Sequence, residues 1–593
     1  MDYKKDDYSK AISFDRIIGS STDAETVILD SDRYEIGNSK RCFPSVKKLV
    51  INENVKWIKV PNSMFPNVRT IISKSTQFRS GNVLIHESFW SRPTLLNVFG
   101  VEPDETIDLI GVQAIDSLAL RGCKTIHFIN TESVRFIEAN SVRLSIFEDS
   151  EVERMILEKK YHEGVIMAGT ILLAVNPDAD EIEVPRNTTY IFPTVDFTKN
   201  KRVIIHDFRL VQTFKFQTLV IFDDDKSGNF SRDEAYEIIA KNIEVLPGSK
   251  LYCTVDGILY SKDMHTLIRC PLLKTGHVDI PDGVSEIGKY AFRLGRINSV
   301  SLPDSLVKIE RMAFFYSKIS DISFGKGIKK IGEGYSFSLC TNLTRLIFPP
   351  QAEEIGDSAF SDCTNLSEVV FNSRLVLISR RAFSGCDRLE KVVIPESVQK
   401  IEKSALNKVQ HIVFQGNPAS HVAIAFIREK PATEYMPDTA SYTIRIDLPD
   451  SKTAYMPRYV KFDDIYTISH IIKNPIAIAD ILTLYTYASS AACRQEAAIL
   501  TYSAYKDKTM DESGLIEKQK LYTYCKRSAK SYVESILDQN KDKNIVQVLN
   551  AGLLSNKALK DLMDVVDENS ILRPYILEAM QKTKRSQSKK FNV

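Results

Sequence analysis

Residues 355–360 read IGDSAF, and versions of this phrase recur through the middle of the chain. The last residue of each phrase falls at position 292, 314, 337, 360, 383 or 406, so the period is 22 residues once and 23 thereafter. A period held over six units predicts a solenoid, in which each coil buries its apolar side chains against its neighbours. The other phrases are IGKYAF at 287–292, IERMAF at 309–314, IGEGYSF at 331–337, ISRRAF at 378–383 and IEKSAL at 401–406.

A second pattern, apolar-x-x-apolar-x-apolar, follows each phrase. It is typical of the short strand of a leucine-rich repeat, whose side chains point alternately into the coil and toward the open face. Three cysteines 23 residues apart, Cys340, Cys363 and Cys386, are interpreted as a buried column of small apolar thiols. The strand segments are INSVSL from Ile297, ISDISF from Ile319, LTRLIF from Leu343, LSEVVF from Leu366, LEKVVI from Leu389 and VQHIVF from Val409.

Several longer segments resemble the BspA-like leucine-rich repeat family. The resemblance implies recognition of proteins or surfaces by a rigid scaffold, which in bacteria often serves as an adhesin. The resemblance rests on the segments IPDGVSEIGKYAF at 280–292, CTNL at 340–343 and 363–366, and KVVIPESVQKIEKSAL at 391–406. The segment VDGILYSKDMHTLIRCP at 255–271 is similar to the hairpin that opens such arrays, and GVIMAGTILLAVNPDADEIEVP at 164–185 suggests a second opening.

The whole chain is therefore predicted to be an α+β repeat protein, a leucine-rich repeat solenoid followed by an α-helical domain. In the N-terminal part, VKKLVI at 46–51, VRTIIS at 68–73 and CKTIHF at 123–128 keep the strand pattern without the regular spacing. In the C-terminal part, residues 484–500 align with 521–537, which suggests stacked helical hairpins. The predicted domains are a degenerate repeat region over 1–163, a BspA-like array over 164–416 with its best repeats over 255–415, a linker over 417–460 and the helical domain over 461–593.

Strand residues between the inward-facing ones form two columns that we expect to be exposed. In the first, the charges of neighbouring strands alternate in sign, which predicts cross-strand pairing. The second is aliphatic, and a contiguous exposed apolar surface is typical of a partner site. The alternative is that β-branched residues simply suit strands. The predicted partner-binding face consists of Arg345, Ile347, Glu368, Val370, Lys391, Val393, His411 and Val413.

The acidic segment DDDKSGNFSRDE at 223–234 matches the calcium-binding loop of an EF-hand, with Gly228 at the required bend. The preceding FKFQTLVIF is typical of a strand and the following AYEIIAKN of a short helix, so the two-helix EF-hand is not expected. Two hypotheses stay open: a single calcium site, or a loop whose Asp and Ser side chains form turns and cap the next helix. The candidate ligands are Asp223, Asp225, Ser227, Asn229, Ser231 and Glu234.

The bulk composition is typical of a folded, soluble protein, with 43% hydrophobic and 26% charged residues. A formal charge of +2 gives no global attraction to nucleic acid or to an anionic membrane. The nine cysteines include no CxxC pair, the start lacks the layout of a secretory signal, and no apolar run reaches membrane-spanning length. We therefore expect a cytoplasmic protein with no membrane insertion and no nucleic-acid partner.

The sequence contains no phosphate-binding glycine-rich loop, HExxH motif, nucleophile elbow or paired zinc ligands. We therefore expect no enzyme, and no cofactor other than calcium at the acidic segment. The preferred function is a non-enzymatic scaffold that recognises a protein partner through the sheet face. The alternatives are an adhesin-like cell-surface protein exported without a signal peptide, and a sensor or effector that acts through the helical domain. Partner identity and oligomeric state stay open.

Overall fold

The structure is a computed structural model that divides into two compact units, Met1–Ile258 and Leu259–Val593. Each unit contains stacked coils of short parallel strands, as predicted, and the second also contains a C-terminal group of helices. The domain boundaries predicted from the sequence stay predictions. The structure describes residues 12–13, 23–35, 42–89, 91–116, 119–138, 147–211, 213–221, 237–418, 422–429, 442–461, 463–473, 477–539, 541–568 and 570–590.

In the first unit, parallel ladders follow the strand pattern read from the sequence. Val27, Leu49 and Ile71 are in register on three neighbouring strands, and all three are buried. The strands are β1 (Ile12–Ser13), β2 (Thr26–Leu29), β3 (Arg33–Glu35), β4 (Lys48–Ile51), β5 (Trp57–Lys59), β6 (Thr70–Ser73), β7 (Leu84–Phe89), β8 (Arg92–Asn97), β9 (Ile107–Asp108), β10 (Ala114–Asp116), β11 (Phe128–Ile129), β12 (Phe136–Glu138), β13 (Val165–Ala168), β14 (Ile171–Val175), β15 (Glu181–Glu183), β16 (Tyr190–Ile191), β17 (Arg202–Ile205), β18 (Phe216–Ile221), β19 (Ala240–Val245) and β20 (Tyr252–Val255).

Antiparallel hairpins interrupt the parallel coils. The segment at 164–185, predicted to open an array, forms the antiparallel pair β13–β14, and β14 then pairs in parallel with β16. A hairpin not expected from the sequence, β7–β8, has the same arrangement, since β8 continues in parallel with β10. One helix of this unit, α1 (Glu151–Leu157), begins where the Ser150 side chain accepts a hydrogen bond from the Glu153 amide.

The second unit opens with the predicted hairpin, in which β21 and β22 are antiparallel and β22 pairs in parallel with β24. Its coils then contribute strands to two sides, the longer ones to the predicted face. The strands are β21 (Ile258–Ser261), β22 (Thr266–Arg269), β23 (Thr275–Asp279), β24 (Glu286–Ile287), β25 (Arg296–Ser301), β26 (Lys308–Ile309), β27 (Asp321–Ser323), β28 (Lys330–Ile331), β29 (Arg345–Ile347), β30 (Glu354–Ile355), β31 (Glu368–Val370), β32 (Leu377–Ile378), β33 (Lys391–Ile394), β34 (Lys400–Ile401), β35 (His411–Phe414), β36 (Arg428–Glu429), β37 (Thr443–Asp447), β38 (Thr453–Pro457) and β39 (Tyr459–Val460).

The repeated phenylalanines form a stack through the core of these coils. The ring centroids of Phe292, Phe314, Phe337, Phe360 and Phe383 follow one another at 4.6, 4.8, 5.0 and 5.5 Å, and successive rings are nearly parallel. Each ring is almost completely buried. The near-constant spacing of 22 or 23 residues in the sequence therefore corresponds to a repeated ring contact in space.

The predicted cysteine column is confirmed as a buried column. The thiols of Cys340, Cys363 and Cys386 lie 3.1, 3.2 and 3.2 Å from the carbonyl oxygens of residues 314, 337 and 360. Burial raises the pKa of the Cys340 thiol to about 11 and moves the other two in the same direction. Neutral, inaccessible thiols of this kind are inert, so the column contributes to packing.

The ladder extends beyond residue 416. Strand β37 pairs in parallel with β35, and β38 turns back antiparallel to β37. The helices that follow are α2 (Asp464–Lys473), α3 (Ile478–Thr483), α4 (Ala491–Tyr505), α5 (Glu512–Ile536), α6 (Asp542–Asn550), α7 (Asn556–Val565) and α8 (Leu572–Lys590). Ser555 caps α7, because its side chain accepts a hydrogen bond from the Ala558 amide.

The two segments aligned as a helical repeat adopt different structures. Residues 484–487 form a separate 3-10 turn, and Ser490 then caps α4, whereas 521–536 lies inside the single helix α5. The sequence similarity of the two segments therefore does not correspond to equivalent helices, because a capping serine begins a new helix in only one of them.

Buried polar contacts join the C-terminal strands and helices to the end of the array. The Arg458 guanidinium, fully buried, donates to the carbonyl oxygens of Asn407 at 2.7 Å and Val409 at 2.8 Å. The buried Glu496 of α4 accepts a hydrogen bond from Thr443 in β37 and another from Tyr532 of α5 at 3.1 Å. Removing one member of such a network would leave buried polar groups of the others without a hydrogen bond, which is costly, so the junction is specific.

Candidate functional site

The sheet face consists of the eight predicted residues, and strand register places them in two columns. Arg345 lies opposite Glu368 and Ile347 opposite Val370 on β29 and β31, while β33 and β35 align Lys391 with His411 and Val393 with Val413. Strands β31 and β33 are neighbours. The residues between them, Leu346, Val369, Val392 and Ile412, point into the core and are buried. The period-two alternation thus presents the predicted residues on one face.

The aliphatic column is exposed over three successive coils. The exposed fractions of Ile347, Val370 and Val393 are 52%, 41% and 39%, and Val413 is half-buried. Because the carrying strands are held by backbone ladders and a stacked core, the column is preorganised. Binding of a partner would therefore cost little conformational entropy on this surface, because the surface is already ordered.

The charged column pairs only in part as predicted. The Arg345 Nε lies 3.0 Å from the Glu368 Oε2, with both side chains more than half exposed, so this ion pair adds little to stability. Within the part of the chain that the structure describes, no ion pair joins Glu368 to Lys391. The column therefore offers charges of both signs beside the aliphatic one.

A polar cluster closes the C-terminal end of this face, and its residues on β37 and β38 were missed in the sequence. The His411 Nε2 lies 2.7 Å from the Asp447 Oδ2, while the other Asp447 oxygen accepts from the Arg445 Nε at 3.0 Å and the Thr453 hydroxyl at 2.9 Å. Partial burial alone would raise the pKa of Asp447, but the bonds from Arg445, His411 and Thr453 outweigh it and lower that pKa. The alternation of Ile444, Ile446 and Leu448 was the available signal.

A second polar cluster lies at the N-terminal end of the same face. On β23, the His277 Nε2 lies 2.9 Å from the Asp279 Oδ1, and its Nδ1 lies 2.7 Å from the Ser299 hydroxyl of β25. The Ser301 hydroxyl lies 3.0 Å from the His277 Nε2. Hydrogen bonds to the Asp279 carboxylate, first from His277 and then from Ser301, lower the pKa of Asp279. The aliphatic column thus lies between two clusters of hydrogen-bonded histidine and aspartate side chains, with β27 separating the N-terminal cluster from Ile347.

The candidate calcium ligands at 223–234 lie outside the described residues, so calcium binding stays a prediction. The expected strand before them is confirmed as β18. The prediction of a helix over 235–242 is wrong for the described part of that range, 237–242. Ala240 begins β19, which pairs in parallel with β18. Burial of Ile243 against the core overrides the local helical preference. Among the described residues, no group of three or more His, Cys, Asp or Glu side chains could hold a metal ion.

Of the helices in the part of the chain that the structure describes, none is long and apolar enough to cross a membrane.

The stacked phenylalanine, the cysteine column and the strand register repeat together over the second unit. Residues 270–374 and 333–427 match the family model for the BspA type leucine rich repeat region, in six copies. This segment is a BspA-type leucine-rich repeat array. Within the BspA-type array lie all eight predicted face residues, whereas Asp447 and its β37 and β38 neighbours follow it. No curated protein matches the chain.

Three solved structures are similar to the chain at low identity. A leucine-rich repeat protein from Eubacterium ventriosum is 16% identical over 65% of this chain and 83% of that one, with a TM-score of 0.27. The pneumococcal vaccine antigen PcpA is 14% identical over 65% and 79%, with a TM-score of 0.28. The T. pallidum leucine-rich repeat protein is 26% identical over 29% of this chain and 82% of that one, with a TM-score of 0.25. Scores this low say nothing about shared function.

Proposed function

We propose that this protein is a non-enzymatic scaffold that recognises a protein partner through the sheet face of its BspA-type array. The observation that carries the proposal is the exposed aliphatic column, which lies between the two histidine and aspartate clusters. An apolar centre surrounded by polar, hydrogen-bonded side chains is the usual anatomy of a protein interface. Because the column rests on a rigid sheet, its shape does not depend on a partner being present.

A binding role also accounts for the His277 cluster better than a catalytic one. Ser299, His277 and Asp279 are the residue types of a hydrolase triad, but they lie on an open strand face. The backbone of β25 is paired with β23 on one side and β27 on the other, so its N–H groups are engaged in ladders. Such groups are the usual stabilisers of an oxyanion, and here they support the sheet instead.

Capture of partners from the source cells tests the proposal. Full-length tagged protein would be compared with the double variant Val370→Asp plus Val393→Asp, which places two charges in the aliphatic column. Recovered proteins would be quantified by mass spectrometry. We expect specific partners to fall by about tenfold or more, because a charge buried against an apolar partner surface is costly.

The matched control is Val307→Asp, which changes a valine that is 63% exposed and lies outside the sheet face. It should leave recovery unchanged, and both variants should retain the thermal unfolding profile of the unmodified protein. Equal recovery with the unmodified protein, the column variant and the control would remove the sheet face as the binding surface.

We further propose that the scaffold works in the cytoplasm. All nine cysteines are free thiols, and Cys123, Cys270 and the core column are among those that are buried. A chain with free cysteines and no disulfide is typical of a reducing compartment. The adhesin-like alternative follows from the repeat family resembled by the chain. Protease treatment of intact cells separates the two, because degradation of this protein alongside known surface proteins would contradict the cytoplasmic location.

A further inference from the structure

A second surface lies on the turns that carry the stacked phenylalanines, away from the residues of the sheet face. In five successive coils, the residue before the pair that ends in the stacked phenylalanine and the residue two positions after that phenylalanine adopt a left-handed backbone; in the last coil Ser404 does. In the first three coils these residues are large and apolar or aromatic, with φ from 56° to 61°. They are Tyr290, Leu294, Met312, Tyr316, Tyr335 and Leu339, which together are called the turn face.

The left-handed backbone makes these residue types unexpected. It costs a bulky side chain about 1 kcal/mol or more, whereas glycine, asparagine and aspartate tolerate it. In the following coils the equivalent positions hold Ser358, Asp362, Arg381, Gly385 and Ser404, most of them small or suited to turns. Large apolar side chains in the first three coils therefore oppose the local backbone preference, and such conflicts concentrate at functional sites.

Hydrogen bonds hold the three turns side by side. The Leu294 amide donates to the Phe315 carbonyl at 2.9 Å, and the Tyr316 amide donates to the Ser338 carbonyl at 2.9 Å. Tyr316 is 45% exposed and Tyr335 is 37% exposed, while the other four side chains are half-buried. Tyrosine and methionine on a rigid support are enriched at the energetic centres of protein interfaces. The sheet face contains no aromatic residue, so the two surfaces differ in kind.

Cationic side chains adjoin the tyrosines. The Arg293 guanidinium lies 6.0 Å from the centre of the Tyr290 ring, and the Lys318 ammonium lies 5.4 Å from the centre of the Tyr316 ring. These positions give each cation a favourable contact with a ring.

Two carboxylates near these turns are already paired with lysines. Glu310 pairs with Lys308, and the Glu333 Oε1 lies 3.5 Å from the Lys330 Nζ. Over the described part of the chain, Arg296, Arg311 and Lys318 have no such carboxylate partner. The surroundings of the turn face therefore carry an excess of positive charge.

We propose that the turn face binds an acidic peptide segment that also carries apolar side chains. The tyrosines, Met312 and the leucines would contact the apolar side chains, and Arg296, Arg311 and Lys318 would attract the carboxylates. Aliphatic residues such as Leu294 and Leu339 add nothing to base stacking, which favours a peptide over single-stranded nucleic acid. The proposal goes beyond the sheet-face function, since it assigns a separate surface and a charge class of partner.

Selection from a library of random short peptides displayed on phage, with the full chain immobilised, tests this assignment. We expect enriched peptides to combine aspartate or glutamate with aromatic or aliphatic residues. The leading peptide would be synthesised and its affinity measured by fluorescence anisotropy at two ionic strengths. Binding should weaken as salt is raised, because part of the attraction is between exposed charges.

The decisive variant is Tyr316→Asn plus Tyr335→Asn. It removes both exposed rings and introduces asparagine, a residue that tolerates the left-handed backbone. It should therefore fold as well as the unmodified chain, which circular dichroism and thermal unfolding would verify. We expect its affinity for the peptide to fall by about tenfold. Arg311→Gln plus Lys318→Gln should weaken binding and reduce its dependence on salt.

Three results would overturn the proposal. The first is enrichment of peptides without acidic residues, and the second is unchanged affinity in the tyrosine variant. The third is tighter binding of a single-stranded RNA oligonucleotide that the same variant abolishes. The column variant Val370→Asp plus Val393→Asp should bind the peptide as the unmodified chain does. Failure of the turn face and failure of the sheet face can therefore be told apart, since each is reported by its own variant.

Discussion

The two units use the same strand ladder but differ in how constant their coils are. In the second unit, the stacked phenylalanines recur every 22 or 23 residues. In the first, register steps from Arg202 to Thr218 and from Thr218 to Asn242, which are 16 and 24 residues. Strand ladders are made by the backbone, so they tolerate coils of different length. The stack of rings adds a second constraint, because each ring must also contact the next, and here its steps vary only between 22 and 23 residues.

The largest expected effect is on the stack itself. Phe337→Ala would leave a cavity between Phe314 and Phe360 and should cost about 3–5 kcal/mol of unfolding free energy. Hydrogen exchange measured by mass spectrometry should show lost protection in neighbouring coils of the second unit and unchanged protection over residues 26–73 of the first.

The matched control for this change is Phe371→Ala, which removes a half-buried ring stacked 5.6 Å from Phe348. It should cost clearly less, because less apolar surface is uncovered. Equal loss of protection in both units after Phe337→Ala would contradict the distinction between them and indicate that they unfold together.

The next effect concerns whether the C-terminal strands and helices behave as part of the regular array. Arg458→Met keeps most of the side-chain volume but leaves the carbonyl oxygens of Asn407 and Val409 without their donors. We expect a loss of about 2–4 kcal/mol, since buried acceptors would be left unsatisfied. Protection of β37, β38 and α4 should fall first, and Arg458→Lys should rescue it only partly. Unchanged protection there would mean that the helices are held by other contacts.

A smaller effect is expected if the coil between β18 and β19 of the first unit binds calcium. The 24-residue step from Thr218 to Asn242 includes the acidic segment. If that segment binds calcium, ion at about ten times its dissociation constant should stabilise the chain by about 1.4 kcal/mol. Calorimetry at millimolar calcium would detect the binding, and Glu234→Gln should abolish it. Heat that persists in this variant, or no heat with the unmodified chain, would favour the turn hypothesis.

The smallest expected effect is a pH dependence at the end of the sheet face. Because hydrogen bonds lower the pKa of Asp447 in the folded chain, its ionised form contributes stability above about pH 4, the range of an unperturbed carboxyl. That contribution is lost as pH falls through the lowered pKa. Asp447→Asn should therefore flatten the acid side of a stability profile measured by denaturant unfolding. Asp282→Asn, an exposed carboxylate elsewhere on the array, should not.

Sequence reasoning succeeded where a residue's role repeats and failed where a role occurs once. The face residues Ile347, Val370 and Val393 could be placed because their register repeats with the phenylalanine period. Asp447 could not, because its strand lies outside the regular period and joins the face only through pairing with β35. The strand at Ala240 was misread for the same reason, since β18 supplies the partner that its local sequence does not reveal.

The sequence by itself determined the repeat, the inward and outward sides of each strand and the buried cysteine column, because all three depend on periodic spacing. Only the tertiary structure decided which side chains close the sheet face, how Arg458 and Glu496 join the C-terminal strands and helices to the array, and that Tyr316 and Tyr335 lie on left-handed turns, with the Lys318 ammonium near the Tyr316 ring. These features depend on contacts between residues far apart in the chain, or on backbone conformation, and neither leaves a period in the sequence.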